Sequence, residues 1–302
     1  MKILNNFIEN LYTGDGIAVN GLRLVPLFIK EERLLPYLEL EEALRQNMVE
    51  ITEVSEQGSV PNLQVTNKSL RDILILDGEE LIGAKQNRIV NTTIVVPAHS
   101  SVVTPVSCVE QGRWRYTSKE FSTGDSFSYP SLRRQKHRDV TSSLRSTGSY
   151  TADQSRIWDD ISMKSARMHV TSDTMAMSDI FESRTEGTEH LEKDVPHQEK
   201  QVGFFAFIDH GFAGGDVFGS VDLCRRKLPK LVRSYYLDSL DEGVKFPAIT
   251  VEQILAQIQS VEPEQFASIG KGTEVRFESQ DVQGACKVVD DFIPHLMVFP
   301  KN

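Results

Sequence analysis

The chain has 302 residues, of which 39% are hydrophobic and 25% are charged, a composition typical of a folded protein. Its formal net charge of −10 disfavours nonspecific binding to nucleic acid. No stretch reaches the roughly 18 apolar residues that a membrane-spanning helix needs, so no membrane segment is expected. The N-terminal residues also lack the basic start and the apolar run of a secretory signal.

The cysteines indicate a reducing compartment. Cys108, Cys224 and Cys286 are far apart in the sequence, are odd in number and form no CxxC pair. This pattern predicts free thiols rather than disulfides or a zinc site. Together with the missing signal sequence, it predicts a cytoplasmic protein.

The first part of the chain reads as a β-rich unit. Gly21–Phe28 has the composition of a strand, although Pro26 suggests an edge strand or a bend. A helix is expected over Leu38–Arg45. Short apolar segments then recur about every ten residues, which is typical of a sandwich or barrel-like sheet. The clearest local pairing is an antiparallel hairpin of Ile89–Pro97 with Val102–Val109.

The segment from Arg115 to Gln154 is rich in serine and threonine and contains a group of basic residues. This group consists of Arg133, Arg134, Lys136, Arg138 and Arg145. The segment is expected to be a mobile loop or lid, or an exposed edge strand. For the basic group, the favoured interpretation is a solvated, flexible face, ahead of a phosphate-attracting lid and of a nucleic-acid surface. A helix capped by Thr151 or Asp153 follows and ends near Met168.

The remaining sequence alternates strands and helices. Val202–Ile208 is a core strand, and a glycine-rich strand follows the turn at Asp209. Amphipathic helices are expected after Ser220 and over Val251–Ser260, and three short strands complete the chain. The fold class predicted is α+β, with a mostly antiparallel β sandwich or barrel-like sheet and several flanking helices. The domain prediction is one domain over 1–302, or two lobes (1–114 and 151–302) joined by a Ser/Arg-rich segment, 115–150.

Polar side chains are most dense at two strand ends. In the first cluster, Glu79 and Glu80 follow a tight turn, and Gln86, Asn87 and Arg88 come a few residues later. One glutamate is a candidate acid or base, and the other three are candidates to grip a polar ligand. Because adjacent strand residues point to opposite faces, only one glutamate can face a given partner. The competing interpretation is that these polar residues are solvated groups at the ends of strands and bind no ligand.

The second cluster consists of Cys108, Glu110, Arg113 and Trp114. A planar guanidinium suits phosphate or carboxylate, so Arg113 is a candidate anion ligand, and Trp114 is a candidate stacking platform. Cys108 needs a nearby base to act as a nucleophile, and no histidine is close in sequence. A buried thiol and a tryptophan in the core are the structural alternatives.

A third group lies in the glycine-rich hairpin DHGFAGGDVFG, which contains Asp209, His210 and Asp216. The glycines permit close approach of a ligand, but they also serve the sharp turn of a hairpin, which is the favoured interpretation. The motif is neither a P-loop nor GxGxxG. A metal site would need a further ligand from Glu79, Glu80 or Glu110, and no metal is predicted.

Four strings identify a family resemblance: LDGEELIGAKQNRIVNTTIVVPA (Leu76–Ala98), PVSCVEQGRW (Pro105–Trp114), DQSRIWDDI (Asp153–Ile161) and GFFAFIDHGFAGGDVFG (Gly203–Gly219). In this order they resemble the ARPP family, uncharacterised prokaryotic proteins named for their association with ADP-ribosylglycohydrolases and rhodanese-type phosphatases. The resemblance covers nearly the whole chain. It implies a genomic neighbourhood of ADP-ribose and NAD-derived nucleotide chemistry. Relatives are expected to have glycine where this chain has His210.

The expected function is binding of a phosphorylated, nucleotide-like small molecule. Arg88 and Arg113 would hold phosphate, Trp114 or Trp158 would stack, and the carboxylates would bond ribose hydroxyls or act as acid and base. The full set of candidate residues is Glu79, Glu80, Glu110 and Asp209 as catalytic groups, and Gln86, Asn87, Arg88, Cys108, Arg113, Trp114, Trp158 and Asp216 as ligand-binding groups. The alternatives are a hydrolase acting on such a nucleotide and a non-enzymatic protein-interaction subunit. The sequence specifies neither a cofactor nor an oligomeric state.

Overall fold

The computed structural model describes residues 2–185, 188 and 190–301. The helices are α1 (Lys2–Glu9), α2 (Leu40–Arg45), α3 (Pro130–Thr147), α4 (Gln154–Arg167), α5 (Met177–Glu182), α6 (Leu191–Asp194), α7 (Val221–Ser239) and α8 (Val251–Ser260). The strands are β1 (Leu11–Thr13), β2 (Ile17–Val19), β3 (Leu22–Ile29), β4 (Leu38–Glu39), β5 (Val49–Glu53), β6 (Asn62–Asn67), β7 (Ile73–Ile75), β8 (Glu79–Gly83), β9 (Arg88–Val90), β10 (Ile94–Val96), β11 (Ser100–Cys108), β12 (Phe121–Phe127), β13 (Gln201–Ile208), β14 (Gly211–Phe218), β15 (Glu264–Ala267), β16 (Thr273–Glu278), β17 (Val282–Val288) and β18 (His295–Pro300).

The strands pair almost entirely in the antiparallel sense. Among these elements, only β4 and β7 form a parallel pair of strands. The predicted α+β class with mostly antiparallel sheet is therefore confirmed. None of the helices in the described part combines the length and the apolar character that crossing a bilayer requires.

The chain divides into two compact units. Unit 1 contains Met1–Leu35, Gly187–Ala267 and Gly272–Asn302, and unit 2 contains Pro36–Glu186 and Ser268–Lys271. This division differs from the predicted lobes 1–114 and 151–302, because unit 1 takes both ends of the chain and the segment 115–150 lies within unit 2.

Unit 1 is built on a nine-stranded sheet. Its strand order is β1-β3-β13-β14-β18-β17-β16-β15, and β2 pairs with β3 beside β1. Helices α1 and α8 bury Leu4, Ile8, Ile254 and Ile258 in the main core cluster of this unit. Because each fully buried side chain of this kind stabilises the fold by about 1.5–3 kcal/mol, these helices are held by packing.

The strand that contains Pro26 lies inside this sheet, so the expected edge position was wrong. β3 pairs with β13 on one side and with β1 and β2 on the other. Pro26 lies opposite the gap between β1 and β2, where its carbonyl accepts a hydrogen bond from the Gly14 N–H. The missing N–H of proline is tolerated there because no ladder hydrogen bond requires it.

Unit 2 packs a three-stranded sheet (β10-β7-β4) and a six-stranded sheet (β12-β8-β9-β11-β6-β5) around one core. The predicted hairpin is confirmed only in part. Val90 and Arg88 of β9 pair with Val106 and Cys108 of β11, as expected. Ile94–Val96, however, leaves this sheet to pair with β7, and the first part of β11 pairs with β6.

The basic group does not form a flexible, solvated face, and this expectation is corrected. Residues 115–150 contain the 18-residue helix α3 and β12, which pairs with β8 at the edge of the sheet, as the edge-strand alternative predicted. Arg133 and Lys136 of the basic group are fully buried within this helix. The helix begins at Pro130 and ends at Gly148, which has a φ of 71°. Both are standard positions for proline and glycine at helix ends.

Candidate functional site

The two strand-end clusters are neighbours in the six-stranded sheet of unit 2. β9 lies between β8 and β11, and Arg88 is the register partner of both Leu81 and Cys108. The sheet thus brings the Glu79–Arg88 cluster next to the Cys108–Trp114 cluster.

Glu110 and Arg113 form a buried ion pair at the end of β11. The Arg113 Nε donates to Glu110 Oε1 at 2.8 Å, and Nη2 lies 2.6 Å from Oε2. The backbone N–H of Asn87 adds a further donor to Oε2 at 3.0 Å. Burial alone would raise the pKa of Glu110, but the hydrogen bonds from Arg113 and Asn87 outweigh it and lower that pKa below its usual value. Glu110 is therefore a carboxylate occupied by protein donors.

The Arg113 guanidinium is also occupied by protein acceptors. Besides Glu110, it donates to the carbonyls of Gly83 and Ala84 and to the side chains of Asn87 and Thr117. Since these bonds use its donors and the side chain is 7% exposed, Arg113 holds the β8–β9 connection in place. The structure gives it a positioning role.

Glu79 is held in a similar way by the turn that precedes β8. Its Oε2 accepts a hydrogen bond from the backbone N–H of Leu76 at 2.9 Å. In the same turn, Asp77 forms an ion pair with Lys136 of α3 at 2.8 Å. These buried contacts tie α3 to the turn.

The side chains of Glu80 and Leu81 are both buried and point to opposite faces of β8. Burial raises its pKa to about 8, the carboxylates of Glu110, Glu182 and Asp179 add to this increase, and an interaction with the Ser126 side chain has the opposite effect. A carboxyl group with this pKa is mostly protonated at pH 7. Glu80 is therefore a neutral acid at that pH.

Cys108 is fully buried and held by its neighbours. Its backbone N–H and carbonyl are both bonded to the Gln154 side chain at 2.8 Å, and its sulfur accepts from the Glu110 N–H at 3.4 Å. Burial raises the pKa of the thiol, whereas Arg88 and the Trp158 indole act in the opposite direction. Trp158 is thus placed beside the thiol by α4.

Arg88 has a free hydrogen-bonding edge although it is fully buried. Its Nη1 donates to Gln86 Oε1 at 2.9 Å. Nε and Nη2 find no acceptor among the described residues. Burial lowers the pKa of Arg88, and Glu53 opposes this effect. Nε and Nη2 together present two parallel donors, which match two oxygens of a phosphate or carboxylate.

Glu53, at the end of β5, lies beside this edge. Its Oε1 is 4.0 Å from Arg88 Nη2, close enough for an ion pair but too far for a hydrogen bond. Both carboxylate oxygens are buried and have no hydrogen-bond donor in the described part of the chain. The sequence did not single out Glu53, because it belongs to a strand whose alternating pattern gives no sign of function.

An aromatic and a basic side chain, those of Trp114 and Lys85, form a cover over Glu53 and Arg88. The Trp114 ring is 47% exposed, with Lys85 Nζ 5.2 Å and the Arg88 guanidinium 5.7 Å from its centre. A side chain at Gly58 would meet Lys85, Trp114 and Glu53 within 3.4 Å, so this glycine allows the three to converge. Lys85 also donates to two backbone carbonyls of the same loop.

A cleft of about 680 Å³ opens beside Glu53. Its lining residues are Thr52, Glu53, Ser55, Glu56, Tyr116, Thr117, Ser118 and Lys119. This volume is within the range of small-molecule sites. Two carboxylates (Glu53 and Glu56), the Tyr116 ring and Lys119 therefore line one cleft. Arg88 is not part of the lining, but its Nη2 lies 4.0 Å from Glu53 Oε1.

The Asp209–Asp216 hairpin belongs to unit 1 and is a separate location. Asp209 and His210 form its turn, with φ values of 47° and 67°, and Asp209 is 72% exposed. Asp216 is fully buried, where it accepts from Tyr235 at 2.9 Å and contacts His295 at 3.0 Å. Asp216 therefore joins β14 to α7 and β18. Within the described residues, no group of three or more His, Cys, Asp or Glu side chains is arranged to hold a metal ion.

The described residues form an α+β protein of two units, with a candidate site beside the strand ends of unit 2. The chain belongs to the family described as the ARG and Rhodanese-Phosphatase-superfamily-associated Protein domain, which matches residues 10–299. Comparisons with curated proteins and with solved structures give no match.

Proposed function

We propose that this protein is a cytoplasmic binder of a phosphorylated, nucleotide-like small molecule, which it takes up in the cleft of unit 2. The observation that carries the proposal is the buried Arg88 edge, whose Nε and Nη2 have no acceptor among the residues that the structure describes. A buried donor without a partner costs about 1–3 kcal/mol, and more when it is charged. A ligand phosphate would recover this energy.

Three further features support the proposal. The exposed Trp114 ring can stack with a planar base, an interaction worth about 1–3 kcal/mol. Lys119 adds positive charge at the cleft, and Lys85 adds positive charge over the Trp114 ring. The family's named association with the ARG superfamily is consistent with ADP-ribose or NAD-derived nucleotide metabolism.

Ligand entry requires the cover over Arg88 to move. Trp114 lies in a connection between β11 and β12 that has no helix or strand, so its ring can turn without breaking a ladder of hydrogen bonds. The fluorescence of Trp114 should therefore change when ligand binds. Because the chain has two tryptophans, a Trp158→Phe variant isolates this signal.

The test is calorimetric titration with ADP-ribose, NAD and inorganic phosphate. We expect Arg88→Lys to weaken binding by about 10-fold or more, because lysine keeps the charge but lacks the two-donor fork. Trp114→Ala should weaken nucleotide binding by roughly 5- to 100-fold while leaving inorganic phosphate unaffected.

Two variants in unit 1 serve as matched controls. Arg276→Lys changes another buried arginine, one that is paired with Glu274 at 3.0 Å, and Tyr12→Ala removes another exposed ring. Both should keep wild-type affinity. Absence of heat and of thermal stabilisation with all three ligands at millimolar concentration would refute the proposal. Chromatography of the same mixtures separates a binder, which leaves the ligand intact, from a hydrolase, which gives a new product.

A further inference from the structure

Glu53 carries a second unfilled hydrogen-bonding edge in the same cleft. Its side chain is 3% exposed, and neither oxygen has a donor among the described residues. Two nearby carboxylates differ in this respect, because Glu110 accepts from Arg113 and Asn87, and Glu79 accepts from Leu76. Glu80 also has no donor to either oxygen among the described residues. Of these four buried carboxylates, however, Glu53 is the one that lines the cleft.

The position of Glu53 restricts the chemistry that it recognises. Both oxygens of the Glu53 carboxylate are hydrogen-bond acceptors. A ligand that satisfies them needs two donors at a spacing that matches the two oxygens. An ammonium group or a metal ion would meet the Arg88 guanidinium, 4.0 Å from Glu53 Oε1, and like charges repel at this distance. A neutral pair of hydroxyls avoids this repulsion. Carboxylates bind the ribose hydroxyls of nucleotides in this way.

We infer that Glu53 selects ligands that carry a vicinal diol next to a phosphate, so that the substrate class of the cleft is ribonucleotides rather than their deoxy forms. The inference rests on the proposed function, because it takes Arg88 as the phosphate ligand. The diol donates to Oε1 and Oε2 of Glu53, while the phosphate accepts from Nε and Nη2 of Arg88. One ligand then satisfies both free edges.

The experiment compares ADP, 2′,3′-dideoxy-ADP and inorganic pyrophosphate by calorimetric titration. We expect the wild-type protein to bind ADP at least about 10-fold more tightly than the dideoxy analogue, because the analogue leaves the buried carboxylate unpaired. Glu53→Gln should lower the affinity for ADP to that for the dideoxy form. Pyrophosphate should bind this variant as tightly as wild type, or more tightly, since a negative charge is removed.

Glu56→Gln is the matched control, because it removes the same charge from the lining of the same cleft. It should keep the preference for ADP. Equal affinity of wild type for ADP and the dideoxy analogue would overturn the inference and leave the proposed function intact. Absence of binding by all three compounds would overturn both. If Glu53→Gln does not fold, the affinities of the wild-type protein for ADP and for the dideoxy analogue still test the inference.

Discussion

Glu80 is a carboxyl group buried in unit 2, and its protonation couples stability to pH. Its pKa in the folded protein is about 8, against an ordinary value of 4.5. Between these two pH values the folded state holds a proton that the unfolded state has lost. The free energy of unfolding therefore falls as the pH rises through this window, by up to about 1.4 kcal/mol per pH unit.

Replacing Glu80 by glutamine removes this titration. We expect Glu80→Gln to be more stable than wild type by up to about 3 kcal/mol at pH 7, and the two proteins to converge below pH 5. Urea unfolding at pH 5, 6, 7 and 8 measures the difference. Glu120→Gln, at an exposed position just before β12, is the control and should follow the wild-type curve. A constant offset between Glu80→Gln and wild type would show that Glu80 does not titrate in this range.

Arg88 and Arg113 show that residue type alone does not decide which side chain is available to a ligand. The sequence predicts Arg88 and Arg113 as equivalent phosphate ligands. In the fold, Arg113 is surrounded by carbonyls and by the Glu110 carboxylate, which use its donors, whereas Arg88 Nε and Nη2 have no acceptor within the described part of the chain. Which acceptors surround a guanidinium depends on strand pairing and loop path, so the sequence cannot separate the two.

At the scale of elements, helix α3 was not predicted from the sequence, because its many polar residues were interpreted as solvent-exposed. Its buried side includes Arg133, Lys136 and His137. Lys136 is paired with Asp77 and with the Val90 carbonyl, and such partners make burial of a charge tolerable. Hydrophobic periodicity cannot reveal a helix whose inner face is charged. The start at Pro130 and the end at Gly148 were the available signals.

Helix α4 was predicted correctly. Of the two cap candidates, Thr151 and Asp153, the structure has Asp153, which accepts from the Ser155 and Arg156 N–H groups. Its first residue, Gln154, joins the helix to β11. The Gln154 amide bonds both the N–H and the carbonyl of Cys108 at 2.8 Å and so completes the end of this strand.

Truncation of this side chain tests the connection. We expect Gln154→Ala to lower the free energy of unfolding by about 1–3 kcal/mol, because two backbone groups of Cys108 lose their partner. Amide hydrogen exchange of Cys108 should accelerate as well. The neighbouring Ser155→Ala, at an exposed position, should change stability by less than about 0.5 kcal/mol. Equal effects of the two variants would show that the strand end does not depend on α4.

At the scale of the whole molecule, the three thiols are distributed over both units and are all buried. Cys108 belongs to unit 2, and Cys224 and Cys286 belong to unit 1. Burial raises the pKa of each thiol above its ordinary value. A buried thiol with a raised pKa is a poor nucleophile, which agrees with the interpretation of Cys108 as a buried residue.

Thiol titration examines both units at once. We expect no rapid reaction of the native protein with a disulfide reagent at pH 7.5, and reaction of three thiols per chain in guanidinium chloride. Blocking of thiols before and after unfolding, followed by mass spectrometry, assigns each site. Fast labelling of native Cys108 would contradict its burial and revive a nucleophilic role.

The sequence by itself predicted the class of fold, the helices α2, α4, α7 and α8, and two polar clusters at strand ends. These follow from local properties: the hydrophobic period, a capping residue such as Asp153, and polar residues at strand ends. Membership of the family was likewise readable from four local strings. The path of β3 past Pro26 and the division into two units depend on pairings between distant segments, and only the tertiary structure decided them.

The tertiary structure also decided which polar groups are available to a ligand. Glu79, Glu110 and Arg113 satisfy one another or the backbone, whereas Glu53 and Arg88 retain free edges beside the cleft. A polar group is available to a ligand when the surrounding protein supplies too few hydrogen-bond donors or acceptors for it. Burial raises the free-energy cost of each missing partner. Residue type and spacing predicted a region, and this balance singles out Glu53 and Arg88 as the candidates within it.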